Sequence, residues 1–434
     1  MTNAGFQTVA WAERTNIYEV NTRQYTPEGT FTAFRAHLPR LRDMGVETLW
    51  FMPVTPISSK GRKGILGSYY ACSSYRAINP EFGTMEDFKS LVREAQGMGM
   101  RVLIDWVANH TGQDHEWTET HPDFYLKNED GQFYDAHGWD DVIDLNYRNP
   151  EMRLAMINSM AWWIRETGID GFRCDMAMLT PVDFWMQART SLEPIRKLFW
   201  LAELDPLDNP DYMAVFDCAY CWTWMHETRK FIQHPAARNL GALRETIFRY
   251  VRLVRPDARP AWFTSNHDEN SWNGTEYEKY GVMAPSLAVF SCTWPGIPLL
   301  YSGQELPNHK RLAFFDRDPI QWSHELQLHR FYQVLFRLRL SHPAMQEVQQ
   351  SPGAFMLDHD QMAHVLAFQR CTDQATVLVF LNWSDHETDI QFNGLRNPGV
   401  YQEIFTGAFA DFGINGTIRM ESWGYQVWTS GEDR

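Results

Sequence analysis

The chain predicts an α/β fold: a (β/α)8 barrel, a small subdomain inserted after its third strand, and a C-terminal antiparallel β domain. Three observations lead there. Short apolar runs alternate with helical patterns from Ile17 onward, the mark of parallel strands joined by right-handed crossovers. Four of those runs are followed at once by polar segments: DWVANH at Asp105–His110, GFRCD at Gly171–Asp175, LAE at Leu201–Glu203 and SNHD at Ser265–Asp268. Polar chemistry at the C-terminal ends of successive parallel strands is where such a barrel carries its site. From about Ser351 helical periodicity gives way to short, evenly spaced strands.

The elements follow in order. Ile17–Val20 reads as the first strand. Phe34, Leu38 and Leu41 fall at helical spacing, which predicts a helix over Phe31–Met44. Thr48–Phe51 is the second strand, followed by a long loop, Thr55–Ser74. Phe88, Leu91, Val92 and Ala95 at i, i+3, i+4 and i+7 predict a helix over Glu86–Gln96, with Thr84 as N-cap. Val102–Asp105 is the third strand. From Gly112 to Asn146 the alternation stops, over a span too long for an ordinary strand-to-helix loop, which predicts the inserted subdomain at 112–146. A helix over Pro150–Glu166, a strand at Gly171–Asp175, a helix over Val182–Lys197 and a strand at Phe199–Glu203 resume the pattern. Val215–Cys218, Trp262–Thr264 and Leu299–Tyr301 bring the strands to eight. The barrel is thus assigned 1–111 and 147–350. The C-terminal sandwich, 351–434, has strands at Val365–Arg370, Thr376–Asn382, Asp389–Phe392, Tyr401–Ile404 and Tyr425–Trp428.

Bulk properties bound the function. At 434 residues the chain exceeds the roughly 250 of a bare barrel, so additional structure is required. A net charge of −15 repels nucleic acid and anionic membranes and is compatible with a neutral substrate. Six scattered cysteines form no disulfide framework, and the lone Cys218–Cys221 pair has no second pair to complete a zinc site. Met1–Thr15 lacks the pattern of a signal peptide and no run is long enough to span a bilayer, so the cytoplasm is the expected compartment. The sequence does not fix the oligomeric state.

Glycosidic cleavage needs a carboxylate on one face of the sugar and a carboxylic acid near the leaving oxygen. Asp175 ends the fourth strand. Arg173, two residues earlier, shares its face, and a neighbouring guanidinium favours the ionised form a nucleophile needs. Glu203 ends the fifth strand among Trp200, Leu201 and Ala202, surroundings that hold a proton longer and suit a general acid. Asp268 and His267 are placed to bond sugar hydroxyls. Asp105 and His110 flank the third strand in the same way, and Tyr70 is a candidate stacking platform with Tyr69 its competitor. Each of these residues alone reads equally as a strand-end ion pair, a cap or a core group. Their coincidence after barrel strands favours one site.

These segments resemble the α-amylase family, glycoside hydrolase family 13, from about Ile17 to the C-terminus. DxxxNH corresponds to Asp105, Asn109 and His110, GxRxD to Gly171, Arg173 and Asp175, the strand-five glutamate to Glu203, and NHD to Asn266, His267 and Asp268. Gly45–Pro53, Asp144-Leu-Asn146 and Gly296-Ile-Pro298 through Gly303-Gln-Glu305 match as well. The resemblance implies a retaining hydrolase of α-1,4-glucans or maltooligosaccharides, with Asp175 as nucleophile, Glu203 as acid and then base, and Asp268 holding the hydroxyls of the reacting sugar. It also implies that Tyr70, Asp105, His110, Arg173 and His267 bind that sugar. α-1,6 cleavage, or transfer to another sugar, is the alternative on the same scaffold; a non-catalytic carbohydrate-binding protein is the alternative of another class. Two departures bear on metal. Met176-Ala-Met178 stands where endo-acting relatives carry a Lys-His pair that supports calcium, and Asn21-Thr-Arg-Gln24 lacks the acidic series of a calcium loop. No essential metal is therefore expected, with calcium beside Asn109 as the exception to test.

Overall fold

The computed structural model describes residues 5–253, 258–346 and 353–431. Eight parallel strands close into a barrel: β1 Ile17–Val20, β2 Thr48–Phe51, β3 Arg101–Trp106, β4 Gly171–Cys174, β5 Phe199–Ala202, β6 Cys218–Tyr220, β7 Arg259–Trp262 and β8 Ile297–Tyr301. Neighbours around the ring follow chain order, and β1 pairs with β8 to close it. Strand burial is nearly complete, as both faces of a barrel sheet demand. Gly171 is required in β4: a Cβ there would lie 2.0 Å from the Phe199 carbonyl oxygen of β5.

Four predicted elements shift, one of them the seventh strand, which is Arg259–Trp262 rather than Trp262–Thr264. The Phe31–Met44 helix is two helices, Phe31–Arg35 and Leu38–Met44. Pro39 has no N–H for the carbonyl four residues back, so the first helix stops and a second begins around the proline. The helix from Val182 ends at Leu192, ahead of Pro194, rather than at Lys197. The sixth strand is Cys218–Tyr220, not Val215–Cys218. Val215 and Phe216 are buried before the strand begins, and the Asp217 carboxylate is tied to Trp200 N (3.0 Å) and Arg189 (2.9 Å).

The helix at Met85–Gly97 carries a reciprocal capping box between Thr84 and Asp87. In the insertion, His110–Gly112 pairs antiparallel with Val142–Asp144, which returns the chain to the barrel rim.

Two antiparallel sheets follow the barrel. One is six-stranded and centred on Val365–Cys371, Thr376–Asn382 and Tyr425–Ser430. The other joins Asp358–His359, Thr388–Asn393 and Asn415–Met420. Phe409–Phe412 and Asn415–Met420 escape sequence reading because they bury one and two residues respectively. The boundary at 350/351 lies outside the described residues. The larger sheet shares its core with the barrel through the helix Ala284–Thr293, in which nine of ten residues are buried. Trp383 donates to Ser286 Oγ at 2.8 Å, and Phe368 meets Trp294 edge-on at 4.9 Å.

Candidate active site

The C-terminal ends of the strands deliver charged side chains to one point. Arg173, fully buried on β4, is its hub. Its Nη1 donates to Asp105 Oδ1 (2.9 Å) and Oδ2 (3.1 Å) and to Asp175 Oδ1 (2.9 Å). Nη2 lies 2.7 Å from Glu203 Oε2, an ion contact whose angle is too poor for a hydrogen bond. The guanidinium also lies 4.8 Å from the Trp50 ring centre, and Nε donates to Tyr220 Oη at 3.3 Å. One cation therefore binds three carboxylates from β3, the end of β4 and the end of β5.

A second group sits beside it. His267 contacts Glu19 through Nδ1 (2.5 Å), and its Nε2 meets Tyr70 Oη (2.7 Å) and Asp268 Oδ2 (3.2 Å). Burial alone would strip the imidazolium of its proton, but Asp268 and Glu19 overcome it and hold the pKa well above the ordinary value. Asp268 answers in kind: burial would raise it, yet His267 keeps it below the ordinary carboxylate value. Its side chain is 41% exposed to the cleft.

The acids at the hub behave differently. Burial pushes Asp175 up to about 6 against the pull of Arg173, and Glu203 up to about 7, with Asp175 adding to the rise. Arg173 does pull Asp175 toward the ionised form, as expected, but it is not the larger effect. Burial outweighs the guanidinium, which is divided among three acids. Glu203 still holds its proton to higher pH than Asp175. Asp105 is raised to about 6 by the same burial. Glu203 Oε2 also accepts from the Met176 amide at 2.8 Å. Met176 reaches that position with φ +37°, a conformation uncommon for a residue with a side chain.

Every sequence-predicted residue except the buried Asp105, Arg173 and His267 lines one cleft of about 410 Å³. Those three form its floor. Tyr70 faces the cleft and stacks on His267 (5.4 Å, 19°), whereas Tyr69 is buried against Arg23. His110 is neutral, lowered to about 4 by burial, and meets Trp139 edge-on. Sequence reading missed Glu19, Trp50 and Tyr220 in the floor and Trp139, Trp272 and Phe314 in the wall. Glu19 left a signal, as the one charged residue in an apolar strand. The wall aromatics had none among 14% aromatic residues.

Asn109 donates to Asp144 at 3.3 Å, and Asp144 also accepts from the Ala136 amide at 2.9 Å. Among the described residues, no group of three or more His, Cys, Asp or Glu is placed to hold a metal. Nor, among them, is any helix long and apolar enough to cross a membrane.

A closed parallel barrel with paired acids and a sugar-sized aromatic cleft at its C-terminal rim defines this protein as a glycoside hydrolase. The family model described as "Alpha amylase, catalytic domain" matches residues 12–128 and 122–194. Over those residues the chain is similar to that family. It is similar to "Alpha-amylase 2" of Dictyoglomus thermophilum, 25% identical across 93% of this chain and 74% of that one. It is also similar to a 4-alpha-glucanotransferase of Thermotoga neapolitana, 27% identical across 69% and 73%. The crystal structure of a noncanonic maltogenic alpha-amylase, AmyB from Thermotoga neapolitana, superposes with a TM-score of 0.88 at 27% identity, covering 97% of this chain and 99% of that one.

Proposed function

We propose that the protein is a retaining hydrolase of α-1,4-glucans or maltooligosaccharides working by double displacement. Asp175 Oδ attacks C1 of the bound sugar as the C1–O bond breaks, and the Glu203 proton passes to the leaving oxygen. Water then attacks C1, Glu203 takes its proton, and the ester bond to Asp175 breaks. Tyr70 stacks on the sugar, and Asp268, held ionised by His267, bonds its hydroxyls. Arg173 and Asp105 fix the floor, and His110 binds as a neutral donor. No metal enters any step.

One observation carries the reading. A single guanidinium contacts both Asp175 and Glu203 while their proton affinities stand apart, about 6 against about 7. Both carboxyls bind one guanidinium, through Nη1 and Nη2, a placement that suits the separation of about 5–5.5 Å of a retaining pair. The similarity to a glucanotransferase favours, as a second reading, transfer of the same ester to a sugar hydroxyl. α-1,6 cleavage would use the same residues. The division into a barrel (1–111 and 147–350), an insertion (112–146) and a C-terminal unit (351–434) is part of this proposal. So is a cytoplasmic setting, supported by six free cysteines, five of them buried.

The test is the product profile on maltooligosaccharides, isomaltose, pullulan and soluble starch. Maltooligosaccharides shortened with α configuration are expected. Longer products would indicate transfer, and glucose from isomaltose would indicate α-1,6 action. No release from any of them would return the protein to the non-catalytic alternative.

A further inference from the structure

An ion pair lines the cleft between the loop after β2 and the insertion. The excursion between Ile57 and Cys72, which bridge to each other at its base, returns through Tyr70 and carries Lys63 near its tip. Lys63 Nζ lies 2.6 Å from Asp140 Oδ1 and 3.1 Å from Asp141 Oδ1, both on the insertion. Lys63 and Asp141 line the same cleft as Glu203. Asp140 is 83% exposed and adds little, but the Asp141 side chain is only 8% exposed, so that contact is shielded.

The bar is held at both ends. Ser59 N and Lys60 N donate to Asp114 Oδ2 at 2.9 and 3.1 Å. Beyond Lys63, Ile65 N donates to Asp316 Oδ1 at 2.7 Å and Leu66 N to the Phe315 carbonyl at 3.1 Å. Gly64, at φ +62°, lies so close that a Cβ would fall 2.6 Å from Phe315 Cβ. Chain from three sectors of the rim, after β8, β2 and β3, is thus stitched into one wall.

That wall has a direction relative to the chemistry. Resting on the proposed roles above, the leaving chain departs past Glu203 and Met176, on the β4–β5 side. The retained sugar lies toward Tyr70, on the same excursion as the bar, and His110, just ahead of the insertion. A cavity of about 410 Å³ is near the lower end of the roughly 300–1,000 Å³ of small-ligand pockets, too little to enclose a long chain. We infer that the Lys63–Asp141 bridge closes the cleft beyond the retained sugars, so that the enzyme takes chains by their non-reducing ends and releases short products. Lys63 is in this account a specificity-determining residue.

The test compares maltoheptaose with maltoheptaose capped at its non-reducing end by a 4,6-O-ethylidene group. The native protein is expected to cleave the capped chain at least about tenfold more slowly, and Lys63→Ala and Asp141→Asn to narrow that ratio. Reducing-end-labelled maltoheptaose should lose a constant short unit from its other end. That ladder and the native ratio decide the matter even if a variant does not fold. Equal cleavage of both substrates by the native protein, or an unchanged ratio in a folded Lys63→Ala, would overturn the inference. Cleavage of neither would overturn the hydrolase reading on which it rests.

Discussion

Replacing Glu203 by glutamine keeps the size of the side chain and removes the proton it delivers. In the resting site Glu203 titrates at about 7 and Asp175 at about 6. Productive enzyme has Asp175 ionised and Glu203 protonated. On maltoheptaose, kcat/KM should therefore rise through about 6 and fall through about 7, as macroscopic constants of the pair. Midway, about 60% of molecules carry that form. Glutamine cannot protonate a departing sugar, and losing a general acid costs about 10²–10⁴-fold. The alkaline limb should vanish with it. Fluoride leaves without a proton, so on α-glucosyl fluoride the deficit in kcat/KM should shrink below about tenfold. Because kcat/KM reports only the steps through ester formation, slow water attack does not obscure the comparison. The assay is initial rates on both substrates from pH 5 to 8.5. An equal deficit on both, or an alkaline limb that survives in Glu203→Gln, would refute the assignment.

Other expectations follow from the same geometry. Tyr70→Ala should lower kcat/KM on maltooligosaccharides by about 10–100-fold through lost stacking and a loosened His267. Tyr69→Ala, emptying a site that is 1% exposed, should instead cost about 3–5 kcal/mol in urea unfolding. Asp105, Asp175 and Glu203 all have folded pKa values above their unfolded ones, and so does His267. The stabilisation from the three acids is complete below about pH 4 and is lost as pH rises through 6 to 7, and His267 loses its share above its own raised value. Urea unfolding at pH 5.5 and pH 8 should therefore differ by about 2 kcal/mol or more in favour of pH 5.5, and the reverse order would contradict the raised values. Dialysis against a chelator should leave both kcat and Tm unchanged, and a fall of several degrees in Tm would reveal a bound cation.

What could be read from the sequence was what repeats. Strands β3, β4 and β5 announce themselves because an apolar run meets a charged group at its end, and all three supply the hub. The helix from Met85 is legible from one stripe and one cap. The sixth strand slipped because Val215 and Phe216 are apolar for packing outside the sheet, and the slip hid Tyr220. Pro39 split a helix whose apolar spacing looked continuous. Relative proton affinity at the hub was legible, since Glu203 has apolar neighbours. Absolute values were not, because they depend on how many acids share one guanidinium. Lys63 lay beyond sequence reading altogether, since its acidic partners are about 80 residues away and meet it only when the rim closes.

The helix Ala284–Thr293 has no face to spare for water. Engineers who hope to miniaturise the enzyme by trimming the tail would strip a lid from this greasy segment and expose Phe290 and Trp294. The shortened polypeptide should come out of expression as inclusion bodies rather than as a lean catalyst. Remodelling is better aimed at the rim, where loops can be exchanged without uncovering the interior.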